Sequence, residues 1–260
     1  MRVVHFRSEE SGDAWGRISS DGASIERVDG HPFDGGAPFE DRRTREVVSG
    51  AAAVLLPPAL PTKIIGIGRN FGAHARELGN EPPAEPLVFL KAPSALCPHG
   101  GTVRLPAESH RVDYEGELAI VIGARVRRLP RARYREAILG WSVACDVTAR
   151  DLQKRDVQFA RAKSFDTFCP LGPWIETNFF PEGRHLETRI NGETRQRGSF
   201  DDLIFSAGVI IEYVSAFATL EPGDVILTGT PEGVGALTPG DLVEVEIEGI
   251  GRLSFGVSAE

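Results

Sequence analysis

The sequence predicts an α+β fold that is predominantly β. Short runs rich in β-branched residues recur between glycine- and proline-containing turns, a pattern typical of strands. Segments with helical spacing are few, and residues 205–220 form the longest of them. A dinucleotide-binding fold is excluded at Gly66-Ile67-Gly68, because the spacing there is G-x-G-x-x-x-G and no βαβ unit with an acidic residue follows.

Composition narrows the class of protein. The 260 residues carry a net charge of −8, with 41% hydrophobic and 25% charged residues, which is ordinary for a globular protein. The negative charge disfavours nucleic acid as a partner, and no apolar run is long enough to span a membrane. Residues 1–12 lack the apolar core of a signal peptide. Three cysteines without C-x-x-C spacing then predict reduced thiols in a cytoplasmic protein.

Two parts of the chain differ in composition. Residues 1–60 predict a small β-rich N-terminal domain plus linker, with strands near 2–6, 14–18 and 24–28 and a short helix at 41–49. A proline-punctuated stretch ends this part. Residues 61–260 carry the clusters of titratable side chains, so we expect the chemistry to lie there.

Two glutamates open the most apolar predicted strand. Glu115 and Glu117 precede an unbroken apolar run, and alternation along a strand places both carboxylates on one side. Like charges so close are unfavourable unless a cation or a proton separates them. Taken alone, the pair is explained as well by a solvated strand end. Asp146 ends a later predicted strand, a common place for a ligand-binding residue.

The start of the following helix has a simpler explanation. Thr148 is a predicted N-cap with Asp151 as its capping partner, so Asp151 is left out of the site. Arg150 and Gln153, spaced i and i+3, are expected to face together above the start of this helix.

Upstream, His74 and Glu77 share one face of a predicted helical turn. A carboxylate beside a histidine orients the ring and favours its protonated form, as a general base requires. A solvated pair on a surface helix would have the same spacing. Flanking glycines and prolines make the segment short and weakly anchored, which suits a lid.

Lysine is rare in this chain. Of the 29 basic residues only four are lysine, and two of these, Lys91 and Lys163, lie in apolar surroundings. Lysine and arginine are not interchangeable where a compact or titratable charge is needed. On this count alone, codon bias and chance are the preferred explanation.

Five motifs in order resemble one enzyme family. They are G-R-N-F-x-x-H-x-x-E, D-Y-E-G-E-L-A-I-V-I-G, D-V-T-A-R-D-L-Q, K-S-F-D-T-F-x-P-x-G-P and L-T-G-T-P-E-G-V-G. Together they resemble the fumarylacetoacetate hydrolase family over roughly residues 61–257. Five motifs in one order are far more specific than any one of them.

The resemblance implies a mixed β-roll/β-sandwich catalytic domain with short peripheral helices, assembled as a homodimer. It also implies one Mg²⁺ or Mn²⁺ per active site, held by Glu115, Glu117 and Asp146. Three hard oxygen ligands without cysteine or histidine suit these ions better than zinc. Family members act on small 2-oxo carboxylic acids, which chelate such an ion through two oxygens.

Further roles follow from the matching positions. Lys163 would stabilise an enolate or bind a carboxylate, and His74 with Glu77 would form a lid dyad that orients water. The residues implied near the substrate are Arg69, Arg150, Gln153 and Thr230, of which Arg69 and Thr230 would bind carboxylate oxygens. Two departures, Cys145 where asparagine is frequent and Phe71 where tyrosine is frequent, bear on substrate choice.

Three functions are compatible with these residues. The first is C–C bond cleavage by hydrolysis or decarboxylation, of the acylpyruvate hydrolase or oxaloacetate decarboxylase type. The alternative is a 2-hydroxyhepta-2,4-diene-1,7-dioate isomerase or 5-oxopent-3-ene-1,2,5-tricarboxylate decarboxylase of aromatic catabolism. The third is a non-catalytic keto-acid binder, against which the lid dyad, Lys163 and the acidic residues together argue.

Overall fold

Strands dominate the computed structural model, which describes residues 1–72, 77, 81 and 83–260. The strands are β1 (Arg2–Ser8), β2 (Gly12–Ile18), β3 (Ser24–Val28), β4 (Thr44–Ser49), β5 (Val54–Leu56), β6 (Ile64–Gly68), β7 (Leu87–Lys91), β8 (Leu96–Cys97), β9 (Thr102–Leu105), β10 (Val112–Tyr114), β11 (Gly116–Ile122), β12 (Ile138–Cys145), β13 (Thr148–Ala149), β14 (Cys169–Glu176), β15 (His185–Ile190), β16 (Glu193–Ser199), β17 (Val225–Leu227), β18 (Gly235–Ala236), β19 (Leu242–Ile247) and β20 (Gly251–Ala259). The α-helices are α1 (Arg150–Arg155), α2 (Ala160–Lys163) and α3 (Ala207–Phe217). The 3₁₀ helices are Phe39–Asp41, Gly50–Ala52, Pro93–Ala95, Arg131–Ala137 and Phe200–Asp202. The predicted α+β, predominantly β class is confirmed.

The described strands form three sheets. The largest has the order β4-β3-β2-β1-β14-β12-β11-β17-β6-β7, with β5 added to β1 and β8 to β14. A three-stranded sheet has the order β13-β10-β18, and a five-stranded sheet the order β16-β15-β19-β20-β9. Strand β11 lies between β12 and β17, and every one of its residues is buried. This explains its unbroken apolar run, since both of its faces are covered.

The N-terminal strands have a small core of their own, made by Val4, Phe6, Ala14, Ile25 and Val48. Their sheet also continues into the rest of the molecule, because β1 pairs with β14 at Arg2 and Val3. The division of the chain at residue 60 stays a prediction.

The short helix predicted at residues 41–49 is wrong. Residues 44–49 form β4, which pairs antiparallel with β3. Alternation explains the strand: Val48 is buried against the N-terminal core, whereas Val47 is 65% exposed on the opposite face. The helical spacing of 205–220, by contrast, is confirmed by α3.

The capping prediction for α1 is also wrong. Thr148 lies in β13, and the residue before α1 is Ala149, which makes no side-chain cap. Asp151 instead accepts hydrogen bonds from the Ser109 hydroxyl at 2.5 Å and from the His110 backbone N–H at 3.2 Å. Asp151 therefore holds the loop before β10 and stays outside the site.

None of the helices in the described ranges is long and apolar enough to cross a membrane.

Candidate metal centre

A corner between two sheets positions the acidic residues. Strand β10 belongs to the three-stranded sheet and β11 to the largest sheet, and Glu115 is the single residue between them. Glu117 follows within β11, opposite Ala144 of β12. The next residues after β12 bring Asp146 back to the corner, where its backbone N–H donates to the Glu115 carbonyl at 2.8 Å. The ends of two paired strands thus bring three carboxylates together.

The three carboxylates, of Glu115, Glu117 and Asp146, form a tight buried cluster. One oxygen of each lies within 4.8 Å of the others. Each of these residues is at most 5% exposed. Glu117 accepts a hydrogen bond from the Gly229 backbone N–H at 2.5 Å. Burial, reinforced by the neighbouring charges of Asp146 and Glu115, raises the pKa of Glu117 well above its usual value.

Two buried lysines bind opposite oxygens of Asp146. Lys91 donates to Oδ1 at 2.6 Å, and Lys163 donates to Oδ2 at 2.5 Å. Lys163 also donates to Glu115 at 3.0 Å and to the Thr148 hydroxyl at 2.8 Å. Since an ammonium has three N–H bonds, those of Lys163 all have protein acceptors in this arrangement. Burial alone would lower the pKa of Lys163, but Asp146 and Glu115 outweigh it and raise the pKa.

Arg150 orients Glu115. Its guanidinium donates to Glu115 at 2.5 Å, to Asp113 at 2.9 Å and to the Gln153 side-chain carbonyl at 2.7 Å. The predicted pairing of Arg150 with Gln153 on one face of α1 is therefore present. Burial alone would lower the pKa of Arg150, but the nearby carboxylates of Glu115 and Asp113 raise it above its ordinary value.

A cavity of about 470 Å³ opens over this cluster. Its wall includes Arg69, Glu77, Glu115, Glu117, Asp146, Arg150, Gln153, Lys163 and Thr230, which are all the predicted site residues except His74. His74 lies outside the described residues. An apolar side of the cavity is made by Ile67, Leu87, Phe89 and Phe159. The Phe89 ring centroid lies 4.7 Å from the Lys163 ammonium, close enough for a cation–π contact.

Asn70 fixes the segment that carries Arg69. The buried Asn70 amide donates to the carbonyls of Phe205 at 3.0 Å and Thr228 at 2.7 Å, and accepts from the Phe205 N–H at 2.7 Å. Arg69 itself has a left-handed backbone with φ of 58°. Because this conformation is uncommon for arginine, the anchored neighbour explains how it is held in the cavity wall.

Glu77 meets the loop on the other side of the cavity. Its carboxylate accepts from the Gly233 backbone N–H at 3.0 and 3.3 Å. The Gly233 carbonyl in turn accepts from the Tyr114 hydroxyl at 3.0 Å. Glu77 is therefore linked to β10, the strand that leads into the acidic corner.

The donor set fits a hard divalent cation. Three buried carboxylate oxygens are the ligands that Mg²⁺ and Mn²⁺ prefer, and no cysteine or histidine of the described residues joins the cluster. Lys91, Lys163 and Arg150 all bind Asp146 or Glu115, whereas Glu117 accepts a hydrogen bond from a backbone N–H. A bound cation would compensate the charge at Glu117, whose pKa is raised without it.

The family model for the fumarylacetoacetate (FAA) hydrolase C-terminal domain matches residues 63–258. The chain belongs to the fumarylacetoacetate hydrolase family. Members of this family are enzymes, so a purely non-catalytic keto-acid binder is disfavoured.

Relatives within the family have different activities. Oxaloacetate tautomerase YisK of Bacillus subtilis is 45% identical over 212 residues, which cover 76% of this chain and 70% of that protein. The solved 2-hydroxyhepta-2,4-diene-1,7-dioate isomerase of Mycobacterium marinum is 38% identical with a TM-score of 0.91, covering 100% of this chain and 99% of that one. Fumarylpyruvate hydrolase of Pseudomonas aeruginosa, solved in complex with Mn²⁺ and pyruvate, is 34% identical with a TM-score of 0.73. This match covers 78% of this chain and 91% of that one.

Sequence reasoning missed three residues around the site. The rarity of lysine and its apolar surroundings are the signals for Lys91, and nothing marks Asp113 in the motif that contains Glu115. Gln196, which bonds to Thr230 and to the backbone beside Glu115, gave no signal. The useful clue was the lysine count, because two of four lysines bind one carboxylate.

Proposed function

We propose that this protein is a Mg²⁺- or Mn²⁺-dependent enzyme that acts on 2-oxo carboxylic acids through their enol or enolate forms. The observation that carries the proposal is the buried cluster of Glu115, Glu117 and Asp146, ion-paired to Lys163 and open to a cavity. The cavity is large enough for a small acid.

In the proposed mechanism, Glu115, Glu117 and Asp146 hold the cation. When bound, it would supply Lewis-acid polarisation of the 2-oxo group. Arg150 and Lys91 keep the carboxylates in place through their hydrogen bonds to Glu115 and Asp146. Binding can therefore occur with little rearrangement of the buried ligands.

Lys163 contributes a buried positive charge beside the reacting atoms. Such a charge stabilises negative charge that develops on an enolate, more strongly in a buried site than in water. Because its three N–H bonds already have protein acceptors, Lys163 acts through its charge or exchanges one acceptor for a substrate oxygen. Arg69 and Gln153, both in the cavity wall, are proposed to bind the substrate carboxylate.

C–C bond cleavage by hydrolysis or decarboxylation is the first proposed reaction. Glu77 with His74 would orient water for attack on a distal carbonyl, and the pyruvate enolate would leave. The relative named fumarylpyruvate hydrolase, solved with Mn²⁺ and pyruvate, supports this reaction for the family. Decarboxylation would use the same stabilised enolate as CO₂ departs.

Isomerisation is the second candidate. It is favoured by the isomerase of Mycobacterium marinum, which matches the whole of this chain, and by the oxaloacetate tautomerase of Bacillus subtilis. Proton transfer between carbon and oxygen would then replace attack by water. Both reactions share the enolate and the same metal ligands.

A substrate panel tests the proposal. The purified protein, with Mg²⁺ or Mn²⁺, is mixed with acetylpyruvate, oxaloacetate and 2-hydroxyhepta-2,4-diene-1,7-dioate while the ultraviolet enol band is followed. Cleavage should remove the band, and isomerisation should shift it. If all three compounds stayed unchanged with either ion, the proposed function would be wrong.

Single substitutions separate the roles. Glu115→Ala and Asp146→Ala should abolish both turnover and Mn²⁺ binding. His74→Ala should remove C–C hydrolysis while Mn²⁺ binding persists, and full hydrolysis by that variant would exclude the dyad. Homodimerisation, implied by the family resemblance, stays a prediction that analytical ultracentrifugation can check.

A further inference from the structure

Gln196 is a buried amide whose orientation is fixed by two backbone groups. It lies in β16 and is 1% exposed. Its Oε1 accepts from the Gly116 backbone N–H at 2.9 Å, and its Nε2 donates to the Pro231 carbonyl at 2.9 Å. A backbone N–H can only donate and a carbonyl can only accept. The reversed amide would lose both bonds, so the Nε2 group faces Thr230.

The Thr230 hydroxyl is consequently limited in what it can offer. Gln196 Nε2 donates to Thr230 Oγ1 at 2.8 Å, and Thr230 donates to the Gly116 carbonyl at 2.8 Å. A hydroxyl has one hydrogen and two lone pairs. The hydrogen is used on Gly116 and one lone pair on Gln196. While both of these bonds are kept, a hydrogen bond between this hydroxyl and a molecule in the cavity uses the remaining lone pair, and Thr230 accepts it.

Gly116 ties this network to the acidic cluster. It stands between Glu115 and Glu117, and both its N–H and its carbonyl belong to the network. A Cβ at this position would lie 2.3 Å from the Thr188 hydroxyl and 3.3 Å from Gln196 Oε1. The close approach of these side chains therefore requires glycine at the position whose N–H binds Gln196 and whose carbonyl binds Thr230.

An acceptor in this place discriminates between forms of the substrate. A carboxylate or a keto oxygen has no hydrogen to donate, whereas an enol hydroxyl has one. We propose that Thr230 accepts a hydrogen bond from the hydroxyl group of an enol-form 2-oxo acid, and that Gln196 is the positioning residue that fixes this polarity. The inference rests on the proposed function, and it assigns the Thr230 hydroxyl a different ligand group from the carboxylate oxygen expected from the sequence.

Two small acids of equal carbon number test the polarity. Oxalate presents only acceptor oxygens, whereas glycolate presents a carboxylate and a hydroxyl that can donate. Their dissociation constants are measured by calorimetry with the Mn²⁺-loaded wild type, Thr230→Val and Thr230→Ser. Thr230→Val should raise the dissociation constant of glycolate about tenfold, which corresponds to the loss of one hydrogen bond. The dissociation constant of oxalate should rise by less than about twofold. Thr230→Ser, which keeps the hydroxyl, should resemble the wild type with both acids.

Thr228→Val is the matched control in the same loop. The Thr228 hydroxyl donates to the Leu118 carbonyl at 2.9 Å and lies outside the cavity wall, so its removal should leave both dissociation constants unchanged. Gln196→Leu removes the donor to Thr230, so the ratio of oxalate to glycolate affinity should rise. A merely structural role of Gln196 would weaken both acids equally and leave this ratio unchanged.

The outcomes of these binding measurements separate the acceptor role of Thr230 from the proposed function. If Thr230→Val weakened oxalate as much as glycolate, or more, the acceptor role would be wrong while the proposed function stood. If neither acid bound the Mn²⁺-loaded wild type, the proposed function would fail, and the inference with it. Mn²⁺ affinity and thermal unfolding, measured for each variant, show whether the metal site and the fold are intact.

Discussion

At the scale of single residues, Asp146 is the member of the candidate metal centre that is ion-paired with two lysines. Lys91 binds one of its oxygens and Lys163 the other, and all three side chains are buried. Removing one such partner strongly destabilises the folded protein, because the charge of the buried carboxylate is left without compensation. A divalent cation at the same carboxylate would provide that compensation by other means.

We expect Lys91→Met to lower the free energy of unfolding of the metal-free protein by about 3–5 kcal/mol, the cost of breaking a buried pair. Saturating Mn²⁺ should make this deficit smaller, because the cation then balances the charge of Asp146. Urea unfolding in EDTA and in Mn²⁺ measures both values. A deficit that stayed the same or grew with Mn²⁺ would contradict the role of Lys91 at the metal centre.

Lys63→Met provides the control. Lys63 pairs with the buried Asp224, which lies outside the cavity wall and also accepts from the Thr62 backbone N–H and hydroxyl. This variant should lose stability equally in EDTA and in Mn²⁺.

Glu117 should make the stability of the metal-free protein depend on pH. Its pKa in the folded protein lies well above the usual 4.5, so the folded state binds its proton more tightly than the unfolded state. Stability is then lost as the pH rises from 4.5 through the folded pKa. Relative to the wild type, Glu117→Gln in EDTA should become steadily more stable across this range, as followed by urea unfolding.

The same substitution at an exposed position is the comparison for this prediction. Glu9→Gln changes an exposed glutamate of the N-terminal turn and should follow the wild type at each pH. A Glu117→Gln curve parallel to the wild type would show that Glu117 keeps an ordinary pKa in the folded protein.

The sequence predicts the acidic residues, Lys163 and Arg150 in one site, but it does not place Lys91 there. Glu115 and Glu117 are two positions apart, so the chain itself keeps them close. Lys91 is separated from Asp146 by 55 positions, and the contact between them depends on how the sheets are assembled. Local periodicity carries no information about such contacts, so only the rarity of lysine hinted at Lys91.

At the scale of elements, the corner between β10 and β11 decides where the carboxylates lie. Alternation along one continuous strand predicts Glu115 and Glu117 on one side. The structure instead ends β10 at Tyr114 and begins β11 at Gly116, so Glu115 occupies the turn between two sheets. Both carboxylates still face Asp146. The strand pattern was correct within β11, but it could not reveal the change of sheet.

Gly116→Ala should disturb this corner. The added Cβ would lie 2.3 Å from the Thr188 hydroxyl and 3.1 Å from Val245, so either these side chains or the corner must move. We expect a loss of about 1–3 kcal/mol in stability, as overpacking in a core typically costs. Mn²⁺ affinity should fall as well, since both neighbouring residues are proposed ligands. Thermal unfolding and Mn²⁺ titration measure the two effects.

A double variant tests the cause of that loss. Thr188→Ala removes the nearest atom, and its buried hydroxyl has no hydrogen-bond partner within the described ranges. Combined with Gly116→Ala, this substitution should recover part of the lost stability and part of the lost Mn²⁺ affinity. The effects of the two substitutions would then not be additive, as expected for residues in contact. Strictly additive losses would mean that the Thr188 contact is not responsible.

At the scale of the whole molecule, the N-terminal strands both extend the largest sheet and form a core of their own. The amino terminus donates to Glu176 at 3.0 Å, and β1 pairs with β14 at two positions. The family match begins at residue 63, and we predict a catalytic part that does not need residues 1–60.

Removal of residues 1–60 tests the proposed domain division. The shortened chain should bind Mn²⁺ with an affinity close to that of the full chain, because every described residue of the cavity wall lies beyond residue 60. It should unfold at a lower temperature, since β14 would lose its partner β1 and buried Val3 and Trp15 would no longer cover the main core.

Circular dichroism establishes whether the shortened chain is folded, and Mn²⁺ titration measures its affinity for the ion. Arg2→Ala in the full chain, which removes the side-chain contacts of Arg2 with Glu176, the Ser20 carbonyl and the Trp174 ring, should lower the unfolding temperature far less. A folded shortened chain unable to bind Mn²⁺ would mean that the N-terminal strands help to hold the corner at Glu115, and the division at residue 60 would be wrong.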